Sequence, residues 1–316
     1  MKEQTTFASL ACAGKKKQTK RDKFLSEMDR VVPWDKLLGL IEPHYPKAGN
    51  GRRHVGLERM LRIYFLQQWY GLSDPGMEEA LYDIESVRRF AGIELGEEEI
   101  PDETTILNFR HLLEKHQLTE KLLEEVNGYL SEKKLWLREG TIVDATLIAA
   151  PSSTKNKGKK RDGEMSSTKK GNNYHFGMKV HTGVDSQSGL VHTVKVTTAS
   201  VHDKQEMEGL LHGEEKAVFG DKGYFSDQDK RTARKTGLFW GVLDKAKSKK
   251  SLSHKQKRRN RKLSSIRAKV EHPFRVVKRQ FGYVKVRYRG LTKNAVQVFT
   301  LFALANLYKV RHTLLA

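Results

Sequence analysis

The hydrophobic period of this chain changes near Leu137, and that change limits the folds open to it. From Phe24 to about Leu135 the apolar residues recur at helical spacing, with Leu57, Met60, Leu61, Tyr64 and Trp69 as the clearest set. Asp74-Pro75 reads as an N-cap followed by proline at the first helical position, opening a helix through Ala80, Leu81 and Ile84. Pro101-Asp102 opens another, which carries Ile106, Phe109, Leu112 and Leu113. Beyond Leu137 the pattern becomes short runs of strand character. Thr141–Ile148 comes first, then Tyr174–Val184 and Leu190–Thr198 joined by the turn Asp185–Gly189, then Ala217–Gly220 and Leu238–Leu243. Asp203 and Glu206 have the spacing of a capping box, which predicts a helix there. Helical pattern returns from about Leu263 to Phe281 and around the uncharged run Asn294–Tyr308. The order predicts a mixed α/β sheet flanked by helices, preceded by a small all-helical domain.

A chain of 316 residues has room for two domains at roughly 100–200 residues each. The expected division is a basic flexible lead-in over 1–22, a helical domain over 23–135 and an α/β domain over 136–316 with a basic insertion at about 245–262. Ser152–Asn173, rich in Lys, Ser, Gly and Asn, is expected to be a loop. Lys and Arg outnumber Asp and Glu by 59 to 38, a formal net charge of +21. Such an excess suits a polyanion, because neutralised phosphates release counterions; a solvated basic surface, a ribosomal association and a membrane surface are the competing readings. Cys12 is the only cysteine, which excludes a disulfide framework and a thiolate metal site. Phe7–Gly14 is too short for a secretory core, and Asn294–Tyr308 falls below the roughly 20 residues that span a bilayer. The expectation is a reduced, cytoplasmic, nucleoid-associated protein with no membrane partner.

Three acids stand out by context. Asp144 lies within an apolar strand, where a carboxylate needs a partner or a metal. Asp221 follows a buried-type strand, and Glu271 sits in an amphipathic helix. Together they offer hard oxygen ligands, which suit Mg²⁺ or Mn²⁺ rather than zinc. Taken singly, each has a plainer reading: a salt-bridged strand residue, a turn-former, and an i,i+4 pair of Arg267 with Glu271. At about 100° per residue, Arg267, Glu271 and Lys278 fall within about 40° of one another, beside a stripe of Ile266, Val270, Phe274, Val277 and Phe281. Pro273 predicts a kink in that helix. Asp203 is read as a cap, Asp185 as a turn residue, His202 and His272 as hydrogen-bond partners, and His175 and His181 as no metal site.

The combined pattern resembles a known family. Val143-Asp144-Ala145-Thr146, Asp221-Lys222-Gly223-Tyr224, the spacing Arg267, Glu271, Lys278, and Asp102–Thr105 with Phe109-Arg110 resemble the motifs of DDE transposases of bacterial insertion sequences, of the insertion-sequence-five type. The resemblance runs over nearly the whole chain. One position departs from it: Ser264 stands where the third motif expects tyrosine. The resemblance implies a ribonuclease-H-like core that cuts phosphodiesters at transposon ends and joins the 3′-hydroxyl ends to target DNA. It implies two Mg²⁺ or Mn²⁺ ions held by Asp144, Asp221 and Glu271, with Arg267 and Lys278 positioning DNA. It further implies double-stranded DNA as partner, both transposon ends and target, and a homo-oligomer at synapsis. The helical domain then becomes the DNA-binding one and 136–316 the catalytic one. The alternatives are a metal-dependent nuclease without strand transfer and a catalytically silent DNA-binding regulator; the presence of all three acids counts against the second. Lys245–Lys262 is expected to run along DNA, and Lys155–Lys170 to be DNA contact or flexible loop. Arg52, Arg53, Arg59, Arg62, Arg88, Arg89 and Arg110 are candidates for a cationic face.

Overall fold

The computed structural model describes residues 17–47, 55–94, 99–136, 138–155, 158–246 and 250–316; the lead-in through 16, Arg52, Arg53 and Leu137 lie outside them. The helical half comprises α1 (Lys20–Val31), α2 (Trp34–Ile41), α3 (Leu57–Tyr70), α4 (Asp74–Asp83), α5 (Glu85–Phe90), α6 (Glu103–Lys115) and α7 (Leu118–Glu132). α3 buries Met60, Leu61, Ile63, Tyr64, Phe65, Leu66 and Trp69, so it is the central helix of this half. Asp102 caps α6 by accepting the Thr105 N–H at 2.8 Å. α4 begins one residue earlier than expected, because Ser73 accepts the Gly76 N–H and is the cap. Asp74 is thereby released to accept from Gln67 and Arg110.

The described arginines of this half do not form the expected cationic face. Arg62 pairs with Asp29 and Glu58 and lies over the Trp34 ring. Arg88 donates to the carbonyls of Leu81 and Tyr82, Arg89 pairs with Asp22, and Arg59 donates to the Gly92 carbonyl. Arg110 pairs with Asp74 at 2.7 Å and lies over the Tyr288 ring. Apart from Glu58, one turn before Arg62 on α3, these partners lie on other elements and leave no spacing signal in the sequence.

The second half holds a six-stranded sheet: β1 (Gly140–Ala149), β2 (Ser166–Lys170), β3 (Asn173–Asp185), β4 (Val191–Thr198), β5 (Ala217–Gly220) and β6 (Phe239–Val242). β1 pairs antiparallel with β3 on one side and parallel with β5 on the other, and β5 pairs parallel with β6. The outer edge of β3 is shared, by β2 along Asn173–Gly177 and by β4 along Met178–Val184. β2 lies inside the segment expected to be a loop. It is an edge strand of Ser, Thr and Lys with no apolar alternation to mark it. Asp203 opens a single 3₁₀ turn (Asp203–Glu206), followed by a second at Glu208–Leu210, rather than an α-helix. The residues of the apparent capping box are drawn elsewhere, Asp203 to Lys179 and Glu206 to Lys195, and His202 caps the turn.

Four helices complete the chain: α8 (Asp227–Thr236), α9 (His254–Arg267), α10 (Glu271–Arg275) and α11 (Leu291–Leu315). The expected kinked helix over 263–281 is instead α9, a 3₁₀ turn at Ala268–Val270, α10, and a π turn at Val276–Gln280. Pro273 stands in the first turn of α10, where a missing N–H is tolerated, so it marks a restart rather than a kink.

A single buried cluster runs from α1 through α7 into β1, β3, β4 and α9 to α11, crossing the boundary expected near 136. α11 is the bridge. Its Asn306 accepts the Val191 N–H and donates to the Val191 carbonyl on β4 and to Asn127 on α7. Gln297 donates to Gln68, Thr300 meets Tyr64, and Arg311 pairs with Glu27. The opposite sheet face carries a smaller core of Val143, Met207, Leu210, Val218, Tyr224, Ala233, Trp240 and Val242. Among the described residues no helix is long and apolar enough to cross a membrane.

Candidate active site

Asp144 is placed mid-strand by the alternation of β1, opposite Thr182 of β3. Its carboxylate accepts the Ala145 N–H at 2.9 Å. Burial pushes the Asp144 carboxyl up to about 6, the Ala145 N–H and Arg267 pull against that, and the charges of Asp221 and Asp203 add to it. Asp221 follows β5, which ends beside β1, and its side chain turns back to accept the Gly223 N–H at 2.7 Å. A side chain at 223 would bring its Cβ to 2.9 Å from that carboxylate, so glycine keeps the acid in place. Glu271 opens α10, its side chain 68% exposed and free to reorient.

Arg267, at the end of α9, joins the first and third acids. Its guanidinium lies 3.9 Å from Asp144 and 3.5 Å from Glu271. The three acids come from a strand, a strand end and a helix start, and Arg267 contacts the first and third of them. Among the described residues no three His, Cys, Asp or Glu side chains converge as a metal cage. The donor chemistry nevertheless fits a hard divalent cation: all-oxygen ligands, and a buried carboxyl whose charged form needs a counter-ion.

Lys278 is not beside Glu271. The π turn carries it to the Leu147 carbonyl of β1, to which it donates at 2.7 Å, and burial lowers its affinity for a proton, as does nearby Lys170. Regular helical geometry could not anticipate that seat, since a 3₁₀ turn and a π turn bracket α10.

Three residues hold places near the site that the sequence analysis does not give them. Asp203, read there as a cap, pairs with Lys179 at 2.9 Å and adds negative charge near Asp144. Tyr224 is fully buried with its hydroxyl unpartnered, and burial together with the neighbouring acids pushes its ionisation well above the usual phenol range. Arg259, lost within the basic run, is a structural anchor: it donates to the Val242 and Trp240 carbonyls and to Asp244, while Asn260 bonds the Asp244 backbone in both directions. These partners are distant in sequence and leave no spacing signal.

His181 is buried with Nε2 on Thr197, His202 serves its turn, and burial lowers the proton affinity of His272. Asp185 accepts from the Ser188 N–H and hydroxyl, so it is a turn residue.

A mixed sheet whose first strand bears a half-buried acid, followed by an acid at the end of its parallel neighbour and one on a C-terminal helix, is the arrangement of the ribonuclease-H-like class of carboxylate enzymes. Residues 135–307 match the transposase DDE domain family, and residues 14–112 match a second transposase domain family. The chain belongs to the DDE transposases, with the pair of domains typical of insertion sequences of the four and five types. No solved structure matches it.

Proposed function

We propose that this transposase cuts phosphodiesters at the ends of its element and joins the freed 3′-hydroxyls to target DNA, with Asp144, Asp221 and Glu271 holding two Mg²⁺ or Mn²⁺ ions. The observation that carries the reading is Arg267, which draws the first and third acids of the motif to one point although they lie on β1 and α10. Bound ions supply activation of the attacking oxygen and stabilisation of the leaving one. The chain's own residues do the rest. Backbone N–H groups of Ala145 and Gly223 fix the two aspartates, which leaves one oxygen of each available to hold an ion. Exposed Glu271 closes on the pair, and Arg267, still charged, exchanges its ion pairs with the acids for one with a DNA phosphate. Lys278 positions DNA from its seat on β1. The helical half recognises the element ends, and a homo-oligomer synapses them, in the cytoplasm at the nucleoid. A metal-dependent nuclease that stops at hydrolysis uses the same acids.

The test is an assay on labelled element ends, supplied intact to read cutting and with a free 3′-hydroxyl to read joining. Mg²⁺ or Mn²⁺ should support cutting and joining, and Ca²⁺ binding alone. Full activity in excess chelator would overturn the metal reading; cutting without joining would leave the nuclease.

A further inference from the structure

A second feature begins at the acids and leaves them. An open groove of about 500 Å³ is lined by Asp221, Lys222, Lys257, Asn260, Arg261, Ser264 and Arg267, with Leu243 and Leu252 beneath. On α9, Lys257, Arg261 and Ser264 are spaced four and three residues apart, so one helix face supplies that wall. Lys255 and Lys262 fall on other faces of the same helix. α9 cannot roll to change this, because Arg259 and Asn260 tie it to β6 and Asp244. Lys222, Lys257 and Arg261 are exposed or half-exposed, and no acid among the described residues pairs with them. A fixed row of unneutralised cations that starts at two proposed site residues is shaped for a polyanion, not for solvent.

We propose that this groove seats the sugar-phosphate backbone of the DNA strand being cut, with Lys222, Lys257 and Arg261 as positioning residues for phosphates beside the scissile one. The inference rests on the proposed function and deepens it. From Lys257 to Arg267 the helix rises about 15 Å. At about 3.4 Å per nucleotide along one strand, the contacts reach roughly four nucleotides from the cut. Ser264 suits this role: a small hydroxyl side chain, its Oγ donating to the Asn260 carbonyl, leaves the groove open.

Matched pairs of variants in the full chain, bound to a mixed-sequence DNA duplex, test the groove against general electrostatics. Lys257→Gln with Arg261→Gln should reduce the slope of log affinity against log salt by about 2, at about 0.9 per lost phosphate contact. Lys255→Gln with Lys262→Gln removes the same charge and should reduce it by less than half as much. Ser264→Glu should weaken binding at least about five-fold more than Ser264→Gln, since only the first puts a carboxylate among the phosphates. The midpoint of metal activation should stay at the parental value in all four. Equal effects of the matched pairs, in protein that still cuts with metal, would overturn the groove alone. Parental protein that binds duplex but never cuts in Mg²⁺ or Mn²⁺ would remove the functional reading beneath it.

Discussion

Asp144, Asp221 and Glu271 differ in what surrounds them, and so in what their loss should do. Asp144→Ala and Asp221→Ala each remove a carboxylate held by a backbone N–H. Each should lower cutting by at least about 100-fold while duplex affinity stays within a few-fold, because acids that act as one unit are individually indispensable. Glu271→Ala should do the same without affecting folding, since its side chain is largely exposed; cutting at the parental rate by this variant would mean that the third acid is misassigned. Lys278 behaves differently. Its ammonium is committed to the Leu147 carbonyl, so Lys278→Met should cost about 1–2 kcal/mol in chemical denaturation as well as slowing strand transfer. Lost transfer with unchanged stability would place Lys278 on DNA alone. At this scale the sequence was informative about identity and poor about company. Asp144 announced itself as a charge in an apolar strand, whereas Asp203 and Arg259 looked ordinary because their partners, Lys179 and Asp244, are fixed only by the fold.

The strands with apolar runs were legible, β5 to the residue, as was the hairpin turn closed by Asp185. β2 was not, because an edge strand exposed to water carries no hydrophobic period. Nor was the break-up of the third-acid helix, since a 3₁₀ turn and a π turn preserve the composition of a helix while rotating its faces. Two predictions belong to elements. Asp244 is 3% exposed and ties α9 to the end of β6 through Arg259, and α8 to the same point through Lys230. Asp244→Ala leaves those cations without their acid and should cost about 3 kcal/mol, read as a lower denaturant midpoint; a change below about 0.5 kcal/mol would mean that α9 is held in some other way. The base of β1 carries the second. There His192 stacks on Trp136, with ring centroids 5.8 Å apart, and meets the Thr141 hydroxyl. Burial pushes the His192 imidazole down to about 3, and the nearby His212 adds to that. The unfolded side chain protonates near 6.5, so the stability from keeping it neutral is complete above about pH 6.5 and is lost as pH falls towards about 3. The loss should approach about 1.4 kcal/mol per pH unit at most, and His192→Phe should flatten it between about pH 6.5 and 5. An unchanged pH profile in that variant would assign the acid sensitivity elsewhere.

For the whole molecule, the alternation of helical and strand periods was enough to foretell a helical half and a sheet half. It did not foretell that α11, read simply as a buried apolar helix, completes both. The reason is physical: an all-round apolar helix reports burial but not its neighbours. Asn306 is the sharpest test of that bridge, because it satisfies the Val191 N–H and carbonyl on β4 and also meets Asn127 on α7. Asn306→Leu should cost about 2–4 kcal/mol, with both halves melting in one transition. Two separate transitions in the parental protein would refute a shared core.

That bridge also bears on how such enzymes can be recombined. Swapping the front half of one transposase onto the back half of another is the obvious way to retarget an element, and a boundary near 136 invites the cut. Here the graft would carry Gln68, Tyr64, Asn127 and Glu27 away from Gln297, Thr300, Asn306 and Arg311, their counterparts on α11. A viable hybrid would have to inherit one face of α11 from each parent.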